Sequence, residues 1–183
     1  LHMRHPWSRK ENHVLGWNVT YKLYYSLPLS PTFSYSDVLT FAVQLPSLHH
    51  QLGKMNDGML ALKVQDGLER LVVHQDSLVV YCQKPQSLAG LDTTVRTTFN
   101  RRGIDFTRRH TRANEGFDVK ESHGKRGYSH SQVVASILAD KLERNPHVVQ
   151  RYTDGQLAEH MREKVRNYSR MPPEDALKRF RPY

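Results

Sequence analysis

The chain has 183 residues, 38% of them hydrophobic, and carries a formal net charge of +9 with a pI of about 9.8. This length is typical of one domain with a substantial hydrophobic core. Such a basic chain favours polyanionic partners, and its apolar runs are too short for a membrane-spanning helix.

The positive charge is concentrated in the second half of the chain. Residues 1–95 hold 8 Lys and Arg against 7 Asp and Glu, whereas residues 96–183 hold 19 against 11. The segment 96–126 alone holds 9 basic and 4 acidic residues. An uneven layout indicates a polyanion-binding surface better than total charge does, the alternative being a solvated face without a partner.

Cys82 is the single cysteine and follows the apolar run Leu78–Tyr81. It predicts a buried, unreactive thiol and an intracellular, reducing compartment. The chain starts at Leu1, and His2-Met3 are set aside from the fold prediction because they resemble a cloning remnant. Either removal of an organellar presequence or truncation accounts for this start. The mitochondrial matrix is therefore expected as one location, with cytoplasm or nucleus as alternatives.

The first predicted elements are an N-terminal arm over residues 1–16, anchored by Trp7, and a strand. Apolar residues alternate with polar ones from Trp17 to Leu27, which predicts a strand that ends before Pro28. Residues 37–45 fit either an alternating strand or a helix capped by Ser34 or Ser36. The position of serine and aspartate favours the helix, with Pro46 starting a further turn.

Three apolar runs separated by short polar breaks follow, at residues 59–65, 70–75 and 78–83. The breaks Asn56-Asp57-Gly58 and Asp66-Gly67 are typical turn sequences. The pattern predicts an antiparallel three-stranded meander. Residues 87–98 then predict a short helix, although four threonines weaken its propensity.

The basic segment alternates apolar and polar residues twice, at 104–107 and at 117–120. With a turn over Ala113–Gly116, this alternation predicts a further hairpin. Residues 123–127 predict a flexible basic loop.

From Ser129 the apolar period changes to that of helices. One helix is expected up to Asn145-Pro146, a second from Asp154 to Tyr168, and a short third after Pro172, with Phe180 packing the tail. In the second helix, the predicted apolar stripe is Leu157, Met161 and Val165.

The predicted class is α+β: an antiparallel sheet of about five strands followed by a helical C-terminal part. The predicted organisation is the arm at 1–16, a β-rich basic domain at 17–128, and helices at 129–183 packed on that same domain.

The stretch FNRRGIDFTRRHTR at 99–112 is the strongest functional signal. Guanidinium groups bind phosphate oxygens in pairs and stack on exposed bases. The phenylalanines within the stretch are expected in the core rather than at the ligand. The predicted nucleic-acid contacts are Arg96, Arg101, Arg102, Arg108, Arg109, Arg112, Lys120, Lys125 and Arg126.

The expected function is therefore non-catalytic RNA binding through the phosphate backbone, within a ribonucleoprotein or RNA-processing complex. RNA is favoured over duplex DNA because no zinc finger, basic zipper or helix-turn-helix is recognisable. Protein partners or self-association are expected as well. Glycine-rich nucleotide motifs and paired Cys/His spacings do not occur, so no cofactor and no metal are expected.

Two alternatives stay open. The first is a structural subunit of a ribosome-like particle, held mainly by protein contacts. The second is a metal-independent ribonuclease that uses His110 and His123 with Lys125 as acid, base and charge stabiliser. A trio of this kind arises easily by chance in a basic segment, so the chain is expected not to be an enzyme.

Overall fold

The computed structural model describes residues 2–4, 13–27, 34–55, 59–73, 76–106, 114–122, 124 and 126–182. Within these residues the predicted α+β class is confirmed, with a six-strand antiparallel sheet and a further two-residue strand. The strands are β1 His2–Arg4, β2 His13–Val14, β3 Trp17–Tyr25, β4 Met59–Val64, β5 Leu78–Cys82, β6 Asn114–Glu121 and β7 Gly127–Tyr128.

The helices mostly follow the start of the sheet, and the last four follow all of its described strands. They are α1 Tyr35–Lys54, α2 Leu68–Val73, α3 Leu88–Asn100, α4 His130–Arg144, α5 Pro146–Arg151, α6 Asp154–Ser169 and α7 Pro173–Arg179.

The chain divides into two compact units. Unit 1 contains Leu1–Lys10 and Thr20–Glu115, and unit 2 contains Glu11–Val19 and Gly116–Tyr183. The division falls inside β3, whose first three residues belong to unit 2. Each unit has its own buried residues.

In unit 1 the strands lie in the order β1-β4-β5-β3, each antiparallel to its neighbour. Val80 of β5 is paired with Leu62 of β4 on one side and with Leu23 of β3 on the other. Because β5 lies between β3 and β4, the segment β3-α1-β4 is a split β-α-β unit. Strand β5 is therefore paired with a neighbouring strand along both of its edges.

Helix α1 confirms the helical interpretation of residues 37–45. The Ser34 side chain accepts a hydrogen bond from the Asp37 amide at 3.3 Å, and the Asp37 carboxylate accepts one from the Ser34 amide at 2.6 Å. This capping box satisfies two backbone donors at the helix start. Pro46 lies inside the helix and does not start a new turn. The buried stripe is Val38, Phe41, Leu45, Leu48 and Leu52.

An aromatic cluster joins α1, α3 and β3 in the core of unit 1. The ring of Phe99 lies 5.1 Å from that of Phe41 and 5.2 Å from that of Phe106. Phe106 also contacts Tyr25, with ring centroids 5.3 Å apart. Phe99 and Phe106 are therefore core residues, as the sequence predicts, and are not presented to a ligand.

The predicted strand at residues 70–75 is wrong, because helix α2 occupies Leu68–Val73. Gly67, with φ +91°, turns the chain, and its carbonyl accepts the Leu71 amide at 3.1 Å. The buried Ser77 hydroxyl then donates to the Leu71 carbonyl at 2.8 Å. These local bonds outweigh the β-propensity of the Leu-Val-Val run. The predicted meander therefore reduces to the pair β4 and β5.

The predicted hairpin from residues 104–107 to 117–120 is also wrong on its first arm. Ile104 and Asp105 have no regular structure, and Phe106 lies in a bend. Ile104 and Phe106 alternate with polar residues in the sequence, and both are buried in the core although neither lies in a strand. The predicted turn at 113–116 is wrong as well, since β6 already begins at Asn114.

In unit 2, the tail is packed as predicted. Phe180 is buried and its ring lies 5.5 Å from Trp17 and 5.1 Å from Tyr128. Helix α4 has a capping box formed by Ser129 and Gln132. The predicted helices at residues 129–144 and 154–168 and after Pro172 are confirmed, whereas α5 was not predicted.

The predicted stripe of α6 faces the core only in part. Leu157 and Met161 are half-buried, and Val165 is 43% exposed. Predictions that involve Trp7 and Asn56-Asp57-Gly58 lie outside the described residues.

Candidate nucleic-acid interface

The structure describes some of the predicted contact residues and not others. Arg108, Arg109, Arg112 and Lys125 lie outside the described residues, as do His110 and His123 of the ribonuclease alternative. Arg96, Arg101 and Arg102 belong to unit 1. Lys120 and Arg126 belong to unit 2.

Arg96 is held within the fold of unit 1. Its Nε donates to both carboxylate oxygens of Asp92 at 2.9 Å, and its guanidinium carbon lies 5.9 Å from the Tyr25 ring centroid. The Tyr25 hydroxyl donates to the same carboxylate at 2.9 Å. The Asp92 carboxylate therefore already neutralises the Arg96 guanidinium, and the Arg96 side chain is only 20% exposed.

Arg101 and Arg102 lie at the end of α3, in a Schellman motif that explains the sequence FNRRGI. The Ile104 amide donates to the Phe99 carbonyl at 3.1 Å, and the Gly103 amide donates to the Asn100 carbonyl at 3.0 Å. Gly103 adopts the left-handed conformation, with φ +79°, that this motif requires. The arginine backbones are therefore fixed by the cap.

The two arginine side chains at this cap are exposed. Within the described part of the chain, neither has a carboxylate at ion-pair distance. Cations are stabilised at the C-terminal end of a helix by its dipole, by about 0.3–1 kcal/mol each. That interaction leaves the guanidinium N–H donors available for a phosphate.

Lys120 and Arg126 lie on the β6–β7 hairpin of unit 2. Lys120 is opposite Gly127, and the Glu121 amide donates to the Arg126 carbonyl at 3.1 Å. Both basic side chains are exposed and lack an ion-pair partner among the described residues. A Cβ at Gly124 would collide with the Glu121 side chain, so the absence of a side chain at this position leaves room for Glu121.

The helices of unit 2 carry further cations that the prediction did not assign to the interface. Arg144 and Arg162 are paired with Asp140 and Glu159, at 2.8 Å and 2.9 Å. Glu163 has the same spacing to Arg166 as Glu159 has to Arg162, but among the described residues the Glu163–Arg166 pair is not formed. The exposed cations there without a described carboxylate partner include Lys141, Arg151, Arg166, Arg170 and Arg179. The spacing of residues along a helix alone does not distinguish the arginines that form ion pairs from the cations that do not.

No cluster of three or more His, Cys, Asp or Glu side chains able to hold a metal ion occurs in the ranges that the structure describes. Asp66 is a titratable group with a shifted pKa. A hydrogen bond from its own backbone and the nearby Arg70 guanidinium, 3.0 Å away, lower the pKa of this carboxyl. Asp66 and Arg70 are not among the residues of the candidate interface.

None of the helices in the described ranges combines the length and apolarity that a membrane crossing needs. Comparison of the chain with protein-family models, curated proteins and solved structures gave no match.

Proposed function

We propose that the protein binds RNA without catalysing a reaction on it, through exposed cations that contact the phosphate backbone. The observation that carries this proposal is the pair Arg101 and Arg102, exposed and without a described carboxylate partner on a rigid helix cap. A fixed backbone reduces the entropy lost when such side chains bind. Lys120 and Arg126 supplement this pair on the hairpin of unit 2.

Phosphate contact of this kind gives affinity and low sequence specificity. Each contact to a single strand contributes about −0.7 to the slope of log affinity against log salt. The proposal thus predicts binding that weakens steeply as salt rises, with similar affinities for different RNA sequences. Arg96 is left out of this contact set because Asp92 and Tyr25 hold its guanidinium.

The test is fluorescence anisotropy with single-stranded RNA, single-stranded DNA and duplex DNA over a salt series. The double variant Arg101→Gln/Arg102→Gln should bind RNA more weakly, with a salt slope reduced by about 1.4. The matched control is Arg70→Gln/Lys178→Gln, which removes the same charge from two exposed cations that are paired with Asp66 and Asp175. Equal loss of affinity in both doubles would reduce the effect to net charge and overturn the assignment to the cap.

The second candidate function is a structural subunit of a large assembly, and α1 favours it. Tyr35, Leu39 and Val43 recur every four residues on one face and are 68%, 48% and 70% exposed. Exposed apolar stripes of this kind mark protein contacts. Such a subunit would sediment as a large particle from its native cell after RNase treatment. Leu39→Gln/Val43→Gln should release it from the particle, whereas the control Val165→Gln should not.

A further inference from the structure

The corner between α5 and α6 holds an exposed aromatic stack. The ring of Tyr152 lies 5.1 Å from that of His160 at an interplanar angle of 26°. Thr153 follows Tyr152 and caps α6, its amide donating to the Gln156 side chain at 3.1 Å. Tyr152 is nevertheless 39% exposed. The ring is thus held in position while part of it stays accessible to a ligand.

A crevice between α4, α5 and α6 adjoins this stack and shares His160 with it. Its volume is about 40 Å³, and its apolar lining comes from Leu138, Leu142, Val148 and Met161. Its polar lining comes from Lys141, Asn145, His160 and Lys164. This volume suits about two or three water molecules and is far too small to enclose a nucleobase. A base would therefore stack outside the crevice, on the Tyr152 ring.

Two cations are close along the chain to the residues of the stack. Arg151 directly precedes Tyr152, and Lys164 follows His160 by one helical turn on the same face of α6. Neither has an ion-pair partner among the carboxylates that the structure describes. The nearby Glu159 is paired with Arg162 at 2.9 Å, which reduces its repulsion of a phosphate.

We propose that Tyr152, supported by His160, is a stacking platform for an unpaired RNA base, with Arg151 and Lys164 contacting the flanking phosphates. The inference rests on the proposed RNA-binding function and adds to it a base contact in unit 2. Aromatic rings beside cations bind single strands in this way, because every base offers a π-face.

The experiment compares two fluorescein-labelled probes with equal numbers of phosphates, a 12-nucleotide oligouridylate and an abasic 12-mer. The wild type should prefer the oligouridylate. Tyr152→Phe keeps the ring and should keep that preference, whereas Tyr152→Ala should lower it by about 5- to 100-fold. Arg151→Gln/Lys164→Gln should weaken binding of both probes alike. Circular dichroism checks the fold, and Tyr152→Leu provides a bulky side chain without a π-face if the alanine variant unfolds.

The possible outcomes separate the two proposals. A wild type that binds neither probe overturns RNA binding and the platform together. Binding of the oligouridylate with an unchanged preference in Tyr152→Ala and Tyr152→Leu overturns the platform alone. Equal affinity of the wild type for both probes would mean phosphate contact only, which also overturns the platform. Loss of the preference only in variants without the ring supports it.

Discussion

Helices α3 and α6 have the same apolar spacing and very different burial. Leu91, Val95 and Phe99 recur every four residues on α3, and all three are fully buried. The corresponding stripe of α6 has two half-buried residues and one, Val165, that is 43% exposed. The spacing of apolar residues therefore predicts that a helix forms and not how completely it is covered. Helix α3 stabilises its unit, whereas α6 leaves much of its apolar stripe exposed.

The largest effect that tests this comparison is truncation of the two stripes. Phe99→Ala should lower the free energy of unfolding by about 3–5 kcal/mol, because it removes a ring packed between Phe41 and Phe106. Val165→Ala should change it by less than about 0.5 kcal/mol. Urea unfolding followed by circular dichroism measures both. Similar losses in the two variants would mean that α6 is covered as fully as α3.

Alanine substitution of the glycine that follows α3 and of the glycine in α6 should change the free energy of unfolding in opposite directions. Gly103→Ala should cost about 1–2 kcal/mol, because an L-residue is strained at φ +79° even where the space is open. Gly155→Ala, in the first turn of α6 with no atom within 4 Å of the added Cβ, should stabilise by about 0.4–1 kcal/mol. Thermal unfolding distinguishes them. A stabilising Gly103→Ala would contradict the Schellman cap.

The ion pairs of the two helices should also differ in strength. Arg96→Met should destabilise unit 1 by about 1–2 kcal/mol, since it removes charge-assisted hydrogen bonds that are largely shielded from water. Arg162→Met, whose pair with Glu159 is 71% exposed on both sides, should have an effect below about 0.5 kcal/mol. Urea unfolding at two salt concentrations checks this, with the Arg96 effect expected to be the less sensitive to salt.

The smallest effect concerns Asp66, an exposed carboxyl of unit 1. Its backbone hydrogen bond and Arg70 lower its pKa, so the native state favours the ionised form. The resulting stabilisation is complete above the unfolded-state pKa near 3.8 and is lost as pH falls through the lower folded-state pKa. Asp66→Asn should slightly flatten the fall in melting temperature between pH 5 and pH 2.5. An unchanged pH profile would show that the group does not contribute.

The sequence predicts the elements best where capping residues and periodicity agree. The serine and aspartate at residues 34–37 favour a helix there, and the apolar period changes at Ser129; in the structure, capping boxes at Ser34 and Ser129 start α1 and α4. The alternating residues of β3 likewise predict a strand that the structure contains. In these segments the signals act over four or five residues, so they can be recognised locally.

The prediction fails where contacts from elsewhere in the chain decide the structure. Residues 70–73 have strand propensity, yet the bond from Ser77 and the turn at Gly67 favour a helix. Ile104 and Phe106 alternate with polar residues like a strand, yet both are buried outside any strand, and Phe106 packs against Tyr25 of β3 and Phe99 of α3. For the site, the sequence predicts Arg101 and Arg102 as surface cations. Asp92 lies four residues before Arg96 on the predicted helix, so the sequence already contains that partner, whereas the contact of Arg96 with Tyr25 is visible only in three dimensions.

The reactivity of the Cys82 thiol reports how often the end of strand β5 opens. It is the only cysteine of the chain, is fully buried at the end of β5, and donates to the Lys84 carbonyl at 3.1 Å. A thiol reagent added to the native protein can react only when this part of the sheet opens. The labelling rate at low reagent therefore gives the local opening free energy without any engineered probe. Comparison of the labelling rate with and without added RNA would test whether RNA, the proposed ligand, stabilises unit 1 against opening.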